Sequence, residues 1–117
     1  MRKAYYLKTC DTCRRILKSL PLEGFELQEI KAEPIRADQL DALKAEIGSY
    51  EDLFNKRAKK YKAMGLKDEK LSEQDIRQYI LEDYTFLKRP VFVIDGKVFA
   101  GNSKNTIEAV KIALNNN

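Results

Sequence analysis

Histidine is absent from this chain of 117 residues, and cysteine and proline are scarce, with two and three copies. Without histidine the chain has no Ser-His or Cys-His dyad and no imidazole proton shuttle. A structural zinc site takes four Cys or His ligands, so two cysteines fall short, and we expect neither a metal centre nor an organic cofactor. The two cysteines therefore carry most of the chemistry that the composition leaves open.

Long apolar runs are also missing, because no stretch approaches the roughly 20 apolar residues that span a bilayer. The positively charged residues 1–8 are followed by no apolar signal segment or cleavage site, so we expect a cytoplasmic protein without a membrane partner. A hydrophobic content of 44% and a charged content of 34% predict a single globular domain over residues 1–117. In the cytoplasm a structural disulfide is unusual, so paired thiols there are expected to be reactive.

Cys10 and Cys13 are two residues apart and directly follow a short apolar strand predicted over residues 4–8. A helix predicted over residues 11–20 places a thiol at its start, where free N–H groups and the helix dipole favour the thiolate. The second thiol, one turn later, can attack a bond that the first forms with a disulfide or an oxidant. This order of strand, paired cysteines and helix is typical of a thioredoxin-like redox site. The alternative is two small buried thiols that happen to be close.

Hydrophobic periodicity divides the chain into three segments: a β–α–β unit over 4–30, helices over about 36–86, and a β–β–α unit over 91–114. In the first unit, residues 25–30 alternate like a half-buried strand. In the last unit, Asp95-Gly96 has the composition of a two-residue type I′ hairpin turn. Removing the helical segment leaves βαβ–ββα, so we predict an α/β fold with a four-stranded mixed sheet, covering helices and an inserted helical subdomain.

Capping signals mark where several helices begin or end. Ser103 is expected to cap the last helix, and residues 115–117 are expected to fray. The signals in the middle segment are Gly48 after a helix, a Ser49–Asp52 capping box, Gly65 after a helix over 58–64, and a Ser72–Asp75 capping box.

Three arginines are predicted to lie near the cysteine pair. Arg14 and Arg15 fall in the first helical turn, where positive charge opposes the dipole; they either hold an anion, such as a thiolate or an oxyanion, or point into solvent. Arg89-Pro90 stands where the strand after the insertion begins, beside the start of the cysteine helix. Pro90 is either an ordinary strand-start proline or part of a cis peptide whose backbone approaches the thiols.

Residues 56–62 contain five basic side chains, a run that is usually a solvated helix face. The alternatives are an oxyanion clamp that uses Arg57 and a docking patch for an acidic partner. The net charge of +4 is modest and no helix-turn-helix or other nucleic-acid motif is present, so we expect no direct specific DNA binding.

Three groups of residues share one order and spacing with a known family. The groups are Thr9-Cys10-Asp11-Thr12-Cys13-Arg14, then Asn55-Lys56-Arg57 with Tyr61 and Gly65-Leu66, and last Leu87-Lys88-Arg89-Pro90-Val91 with Asp95-Gly96-Lys97 and Gly101. They resemble the ArsC-like arsenate reductase family, which includes the Spx-type transcriptional regulators of bacteria. The resemblance covers nearly the whole chain and implies a thioredoxin-type fold with an inserted helical subdomain.

The resemblance also implies roles for individual residues. In the arsenate reductases the cysteine that matches Cys10 attacks the arsenic centre, and three arginines hold the oxyanion. Arg89 matches one of these arginines. A second falls near Asn55, so that Arg57 is a displaced substitute, and the third falls at about Gly101, which has no side chain.

The leading hypothesis is therefore an enzyme, a thiol–disulfide oxidoreductase of this family, with Cys10 as the nucleophile and Cys13 as the resolving thiol. Arg89, with Arg57 and Arg14, would bind an anionic substrate such as arsenate, and the backbone at Pro90 would pair with it. Thioredoxin, or glutathione with glutaredoxin, would return the electrons. The alternative is an Spx-type redox-switched regulator that binds the RNA polymerase α subunit and catalyses nothing. A third hypothesis is a family member that retains the fold but has neither activity.

Overall fold

The computed structural model describes residues 1–115, and its elements follow the predicted order. Within this part of the chain, no helix is long and apolar enough to cross a membrane. The elements are β1 (Arg2–Tyr6), α1 (Asp11–Ser19), β2 (Glu26–Glu29), α2 (Ala37–Ile47), α3 (Lys59–Ala63), α4 (Glu73–Glu82), β3 (Val91–Ile94), β4 (Lys97–Ala100) and α5 (Lys104–Asn115). Short 3₁₀ helices lie at Glu51–Leu53, Leu66–Asp68 and Tyr84–Phe86.

The chain divides into two compact units. A sheet unit combines residues 1–33 with the chain from Arg89 onward, and a helical unit comprises Pro34–Lys88. The helical insertion predicted over about 36–86 is thus present, with bounds two residues wider at each end.

The sheet unit contains the predicted four-stranded mixed sheet, in the order β2-β1-β3-β4. Strand β2 is parallel to β1, whereas the β1–β3 and β3–β4 pairs are antiparallel. The hairpin turn at Asp95 and Gly96 has φ angles of 49° and 90°, the two positive values that a type I′ turn requires. This confirms the hairpin that the sequence predicts.

Helices α1 and α5 cover one face of this sheet. Ala4 and Phe92 are paired across β1 and β3, and they form a buried cluster with Ile16 of α1 and Val110 of α5. The ring of Phe25 meets Phe92 edge-on, with the ring centroids 6.3 Å apart. Apolar burial on this face therefore fixes α1, and with it the cysteine pair, against the end of β1.

The expected alternation of β2 is wrong in one respect. Leu27 lies opposite Ala4, yet it is 51% exposed, because β2 is the edge strand of the sheet. Gln28, which the pattern places on the polar side, is buried and donates a hydrogen bond of 3.1 Å to the Glu33 carbonyl. Satisfying the amide in this way removes the main cost of burying it.

In the helical unit, helices begin and end where the capping signals predict. Gly48 follows α2 with a φ of 115°, and Gly65 follows α3 with a φ of 65°. Ser72 and Asp75 form a reciprocal capping box at the start of α4, with bonds of 3.1 and 3.0 Å. Ser49 accepts the Asp52 N–H, but one turn of 3₁₀ helix follows rather than an α-helix. In the sheet unit, Ser103 caps α5 by accepting the Thr106 N–H at 3.1 Å.

Helix α5 extends through Asn115, so the first of the three residues expected to fray has helical conformation. Residues 116 and 117, which the same expectation includes, lie outside the described residues.

Aromatic rings fill the centre of the helical unit. The rings of Phe54 and Phe86 stack with centroids 5.5 Å apart, and Tyr79 and Tyr61 contact this pair. At the edge of the unit, Asp41 of α2 receives two hydrogen bonds from Arg77 of α4, at 2.8 and 3.1 Å.

The bidentate pair with Arg77 and a 2.6 Å bond from the Tyr50 hydroxyl lower the pKa of Asp41 to about 2. We expect Asp41→Asn to lower the urea midpoint of unfolding at pH 7, because the variant loses this charged contact. The carboxylate contributes stability above its unfolded pKa of 3.8, and the contribution is lost as the pH falls through about 2.

The urea midpoints of Asp41→Asn and of the native protein should therefore converge as the pH of the titration is lowered from about 4 to about 2. Asp68→Asn, at an exposed carboxylate of the same unit, is the matched control and should follow the native protein. A difference between Asp41→Asn and the native protein that stays constant over this range would contradict the assignment.

Candidate active site at the cysteine pair

Cys10 is the N-cap residue of α1 and is half-buried. Its backbone is extended, with φ −91° and ψ 113°, while its carbonyl already accepts the Arg14 N–H at 3.0 Å. The Sγ atom accepts the backbone N–H of Cys13 at 3.5 Å. The sulfur thus occupies the place of the oxygen of a capping Ser or Asp, at the positive end of the helix.

Cys13 is fully buried, with 0% of its surface exposed. Burial raises the pKa of its thiol, and the nearby Cys10 and Glu29 act in the same direction. A hydrogen bond from the Leu7 backbone and the charge of Arg89 act in the opposite direction without cancelling the increase. Both thiols are free, and their sulfur atoms are not at bonding distance. The two cysteines therefore differ in environment: one reaches solvent, and the other is a buried protonated thiol.

The structure places Arg89 at this site, since its charge acts on the Cys13 thiol. Arg89 is half-buried and stands just before β3, whose first residue Val91 is paired with Tyr5 near the end of β1. The Arg89–Pro90 peptide bond is cis. The buried Pro90 accepts the Gly101 N–H through its carbonyl at 2.9 Å. The sheet thus brings Cys10, Cys13 and Arg89 together, although they come from opposite ends of the chain.

Arg14 and Arg57 have other surroundings. The exposed guanidinium of Arg14 pairs with the carboxylate of Asp11 in the same helical turn, so a local acid offsets its unfavourable position. Arg57 is exposed and belongs to the helical unit, where its backbone N–H donates to the Asn55 side chain at 3.1 Å. Substrate binding by these two side chains stays a prediction.

Glu29, at the end of β2, is a residue that sequence reasoning missed. Its carboxylate accepts backbone N–H groups from Lys8 at 2.8 Å, Lys31 at 2.9 Å and Ala32 at 2.7 Å. The only signal was its position, because parallel pairing of β1 and β2 brings their carboxyl ends together beside the cysteine pair.

Two positions that the family resemblance equates with oxyanion-binding arginines have structural roles here. Asn55 donates to the Thr85 carbonyl at 3.1 Å and accepts the Arg57 N–H, which uses both ends of its amide. Gly101 has a φ of 100°, a conformation that favours glycine over arginine. An oxyanion site with three arginines is therefore not present at these matched positions.

Comparison with known proteins agrees with this architecture. The uncharacterized protein YusI of Bacillus subtilis is 29% identical over 109 residues, which are 89% of this chain and 92% of YusI. A possible arsenate reductase of Streptococcus mutans superposes with a TM-score of 0.73 at 27% identity, covering 95% of this chain and 98% of that one. An arsenate reductase from Vibrio cholerae, 18% identical, superposes with a TM-score of 0.76 over 95% and 96% of the two chains and shows the shared fold.

The expected thioredoxin-type fold with a helical insertion is thus confirmed. The model of the ArsC family matches residues 5–110, which include the cysteine pair and Arg89. Because this match spans most of the sequence, the chain belongs to the ArsC family.

Proposed function

We propose that this protein is a thiol–disulfide oxidoreductase in which Cys10 is the nucleophile and Cys13 resolves the covalent intermediate. One observation carries the proposal: two thiols within one helical turn have opposite surroundings. Cys10 caps the helix and reaches solvent, whereas Cys13 is buried and its pKa is raised. The first can meet an external substrate, and the second can act only on a group already attached at Cys10.

In the first step the Cys10 thiolate attacks one sulfur of a substrate disulfide. A sulfur–sulfur bond forms between Cys10 and that half of the substrate, the substrate bond breaks, and the other half leaves as a thiolate that takes up a proton. The N–H of Cys13 and the helix dipole stabilise the attacking anion at its position before α1.

In the second step the Cys13 thiolate attacks the Cys10 sulfur and releases the remaining half of the substrate as a thiol. The two protein thiols have then given two electrons and two protons to the substrate, and a Cys10–Cys13 disulfide remains. The sulfur atoms must first approach one another, since they are not at bonding distance in the reduced protein. A dithiol donor of the thioredoxin type, or glutathione with glutaredoxin, returns the two electrons.

The surroundings of the cysteines favour an anionic substrate that one cationic side chain can bind. Arg89 supplies a guanidinium at the thiols, where it can pair with a carboxylate or an oxyanion. Because Asn55 and Gly101 serve the fold, we place disulfides with a nearby carboxylate, such as oxidised glutathione, ahead of arsenate as substrates.

The test is a coupled assay in which thioredoxin, thioredoxin reductase and NADPH reduce the protein while oxidised glutathione or arsenate is offered. We expect NADPH consumption that depends on this protein with oxidised glutathione, and a lower rate with arsenate. A second series offers arsenate alone with glutathione, glutaredoxin and glutathione reductase as the donor system, because glutathione cannot serve as the donor for its own disulfide. No protein-dependent consumption of NADPH with either substrate and thioredoxin, or with arsenate and glutathione, would contradict the proposal.

The absence of arginine side chains at positions 55 and 101 also favours a second candidate, a redox-switched regulator that binds the C-terminal domain of the RNA polymerase α subunit. Pull-down with that purified domain, done with the reduced and the oxidised protein, separates the two functions. State-dependent binding without turnover would favour the regulator, and turnover without binding in either state would exclude it.

A further inference from the structure

Glu29 links three pieces of backbone at the end of the sheet that holds the cysteines. One carboxylate oxygen accepts the Lys8 N–H at 2.8 Å, and the other accepts the N–H groups of Lys31 and Ala32 at 2.9 and 2.7 Å. Lys8 lies between β1 and Cys10, so this bond ties the segment that leads into the cysteine pair to the turn after β2.

A second contact fixes the same corner, because the Ile30 N–H donates to the Tyr6 carbonyl at 2.9 Å. The segment between β1 and α1 is thus bound to the neighbouring strand at its start and at Lys8. Charge-assisted bonds from a carboxylate to backbone N–H groups are among the stronger hydrogen bonds in proteins.

The charge of Glu29 also reaches the buried thiol. Burial alone would raise the pKa of Glu29, but the bonds from Lys8, Ala32 and Lys31 together lower it, so the carboxylate is ionised at neutral pH. The groups whose charges act on Cys13 are Cys10, Arg89 and Glu29, and the first and third disfavour its thiolate.

The geometry points to Glu29 as a positioning residue that fixes the backbone before Cys10 and keeps a negative charge beside Cys13. This inference rests on the proposed function of the two cysteines. Its consequence is an ordered reaction: burial, with a smaller contribution from the charge of Glu29, keeps Cys13 protonated while Cys10 meets its substrate. The charge of Arg89 offsets part of this effect.

The first measurement follows the Cβ chemical shift of ¹³C-labelled Cys13 against pH in the Cys10→Ser background, where Cys13 is the only thiol. Adding Glu29→Gln should move the titration to lower pH and increase the thiolate fraction below the midpoint by roughly three- to tenfold. Glu33→Gln, which removes an exposed carboxylate four residues away, is the matched control and should leave the curve in place. An unchanged curve for Glu29→Gln would overturn the inference.

Glu29→Asp distinguishes the effect of the negative charge from the effect of side-chain length. It also tests the inference if Glu29→Gln fails to fold. The shorter carboxylate keeps the charge but cannot span all three N–H groups, so the Cys13 titration should stay near its original position while the Lys8 amide exchanges its hydrogen faster. A shift of the titration toward lower pH in Glu29→Asp, or an unchanged exchange rate at Lys8, would contradict the two assigned roles.

A third measurement distinguishes failure of this inference from failure of the proposed function. Cys10 is first linked to glutathione, and the release of glutathione by Cys13 is timed at pH 7 in the native protein and in Glu29→Gln. Faster release in the variant supports the role of Glu29, and equal rates overturn it. If the native protein releases no glutathione, the resolving role of Cys13 itself is wrong.

Discussion

Cys10→Ser is expected to abolish reduction of oxidised glutathione in the coupled assay, with a loss of roughly three orders of magnitude or more. Serine keeps the capping oxygen that α1 needs, so the helix should persist, but its hydroxyl is not ionised near neutral pH and cannot exchange with a disulfide. The measurement is the NADPH-linked rate, with circular dichroism showing that the fold is retained.

Thr9→Ser is the matched control, because it makes a conservative change at the exposed neighbour without touching a sulfur. It should turn over at close to the native rate. A Cys10→Ser variant that retains more than about a tenth of the native rate would mean that Cys10 is not the nucleophile, since loss of a nucleophile costs far more than this.

Cys13→Ser is expected to separate the two steps. The first attack should continue at close to the native rate, because Cys10 and its position before α1 are unchanged. The intermediate then has no internal thiol to resolve it, so steady-state turnover should fall by about a hundredfold or more. Intact-protein mass spectrometry after mixing with oxidised glutathione should show one glutathione bound at Cys10.

The native protein should show a matching pH dependence in the resolving step. Burial raises the pKa of Cys13, so its thiolate is a minor species at neutral pH, and each added pH unit below that pKa increases this species about tenfold. The release of glutathione from Cys10 should therefore become faster as the pH rises. The role of Cys13 would be contradicted if Cys13→Ser turned over at the native rate without an accumulated adduct. It would also be contradicted if the release of glutathione by the native protein did not change with pH.

Much of the fold could be predicted because local chemistry determines it. Asp95-Gly96 predicts its hairpin since both residues tolerate positive φ, and Ser72 predicts the start of α4 because its hydroxyl and the Asp75 carboxylate satisfy free N–H groups. The pairing of Cys10 and Cys13 at a helix start is likewise a short-range feature. Elements of this kind depend on neighbours within four residues, which a sequence displays directly.

Features that depend on residues far apart in the sequence were missed or predicted wrongly. The exposure of Leu27 follows from the edge position of β2, which alternation alone does not indicate. Nothing local distinguishes Glu29 from the other acidic residues, because its partner at Lys8 is 21 residues away. The environment of Cys13 likewise depends on Arg89 and on the packing of α1 against the sheet. The predicted topology placed Arg89 beside the cysteine helix, and the family resemblance added the expectation that its side chain binds the substrate.

The most direct test of the central claim is a disulfide map of the protein after reaction with one equivalent of oxidised glutathione and blocking of remaining thiols. If an accessible Cys10 reacts first and a buried Cys13 resolves it, peptide mass spectrometry will find Cys10 joined to Cys13 within one chain and two equivalents of free reduced glutathione. A blocked thiol at Cys13 together with Cys10 still bound to glutathione, or joined to a second chain, would contradict the account.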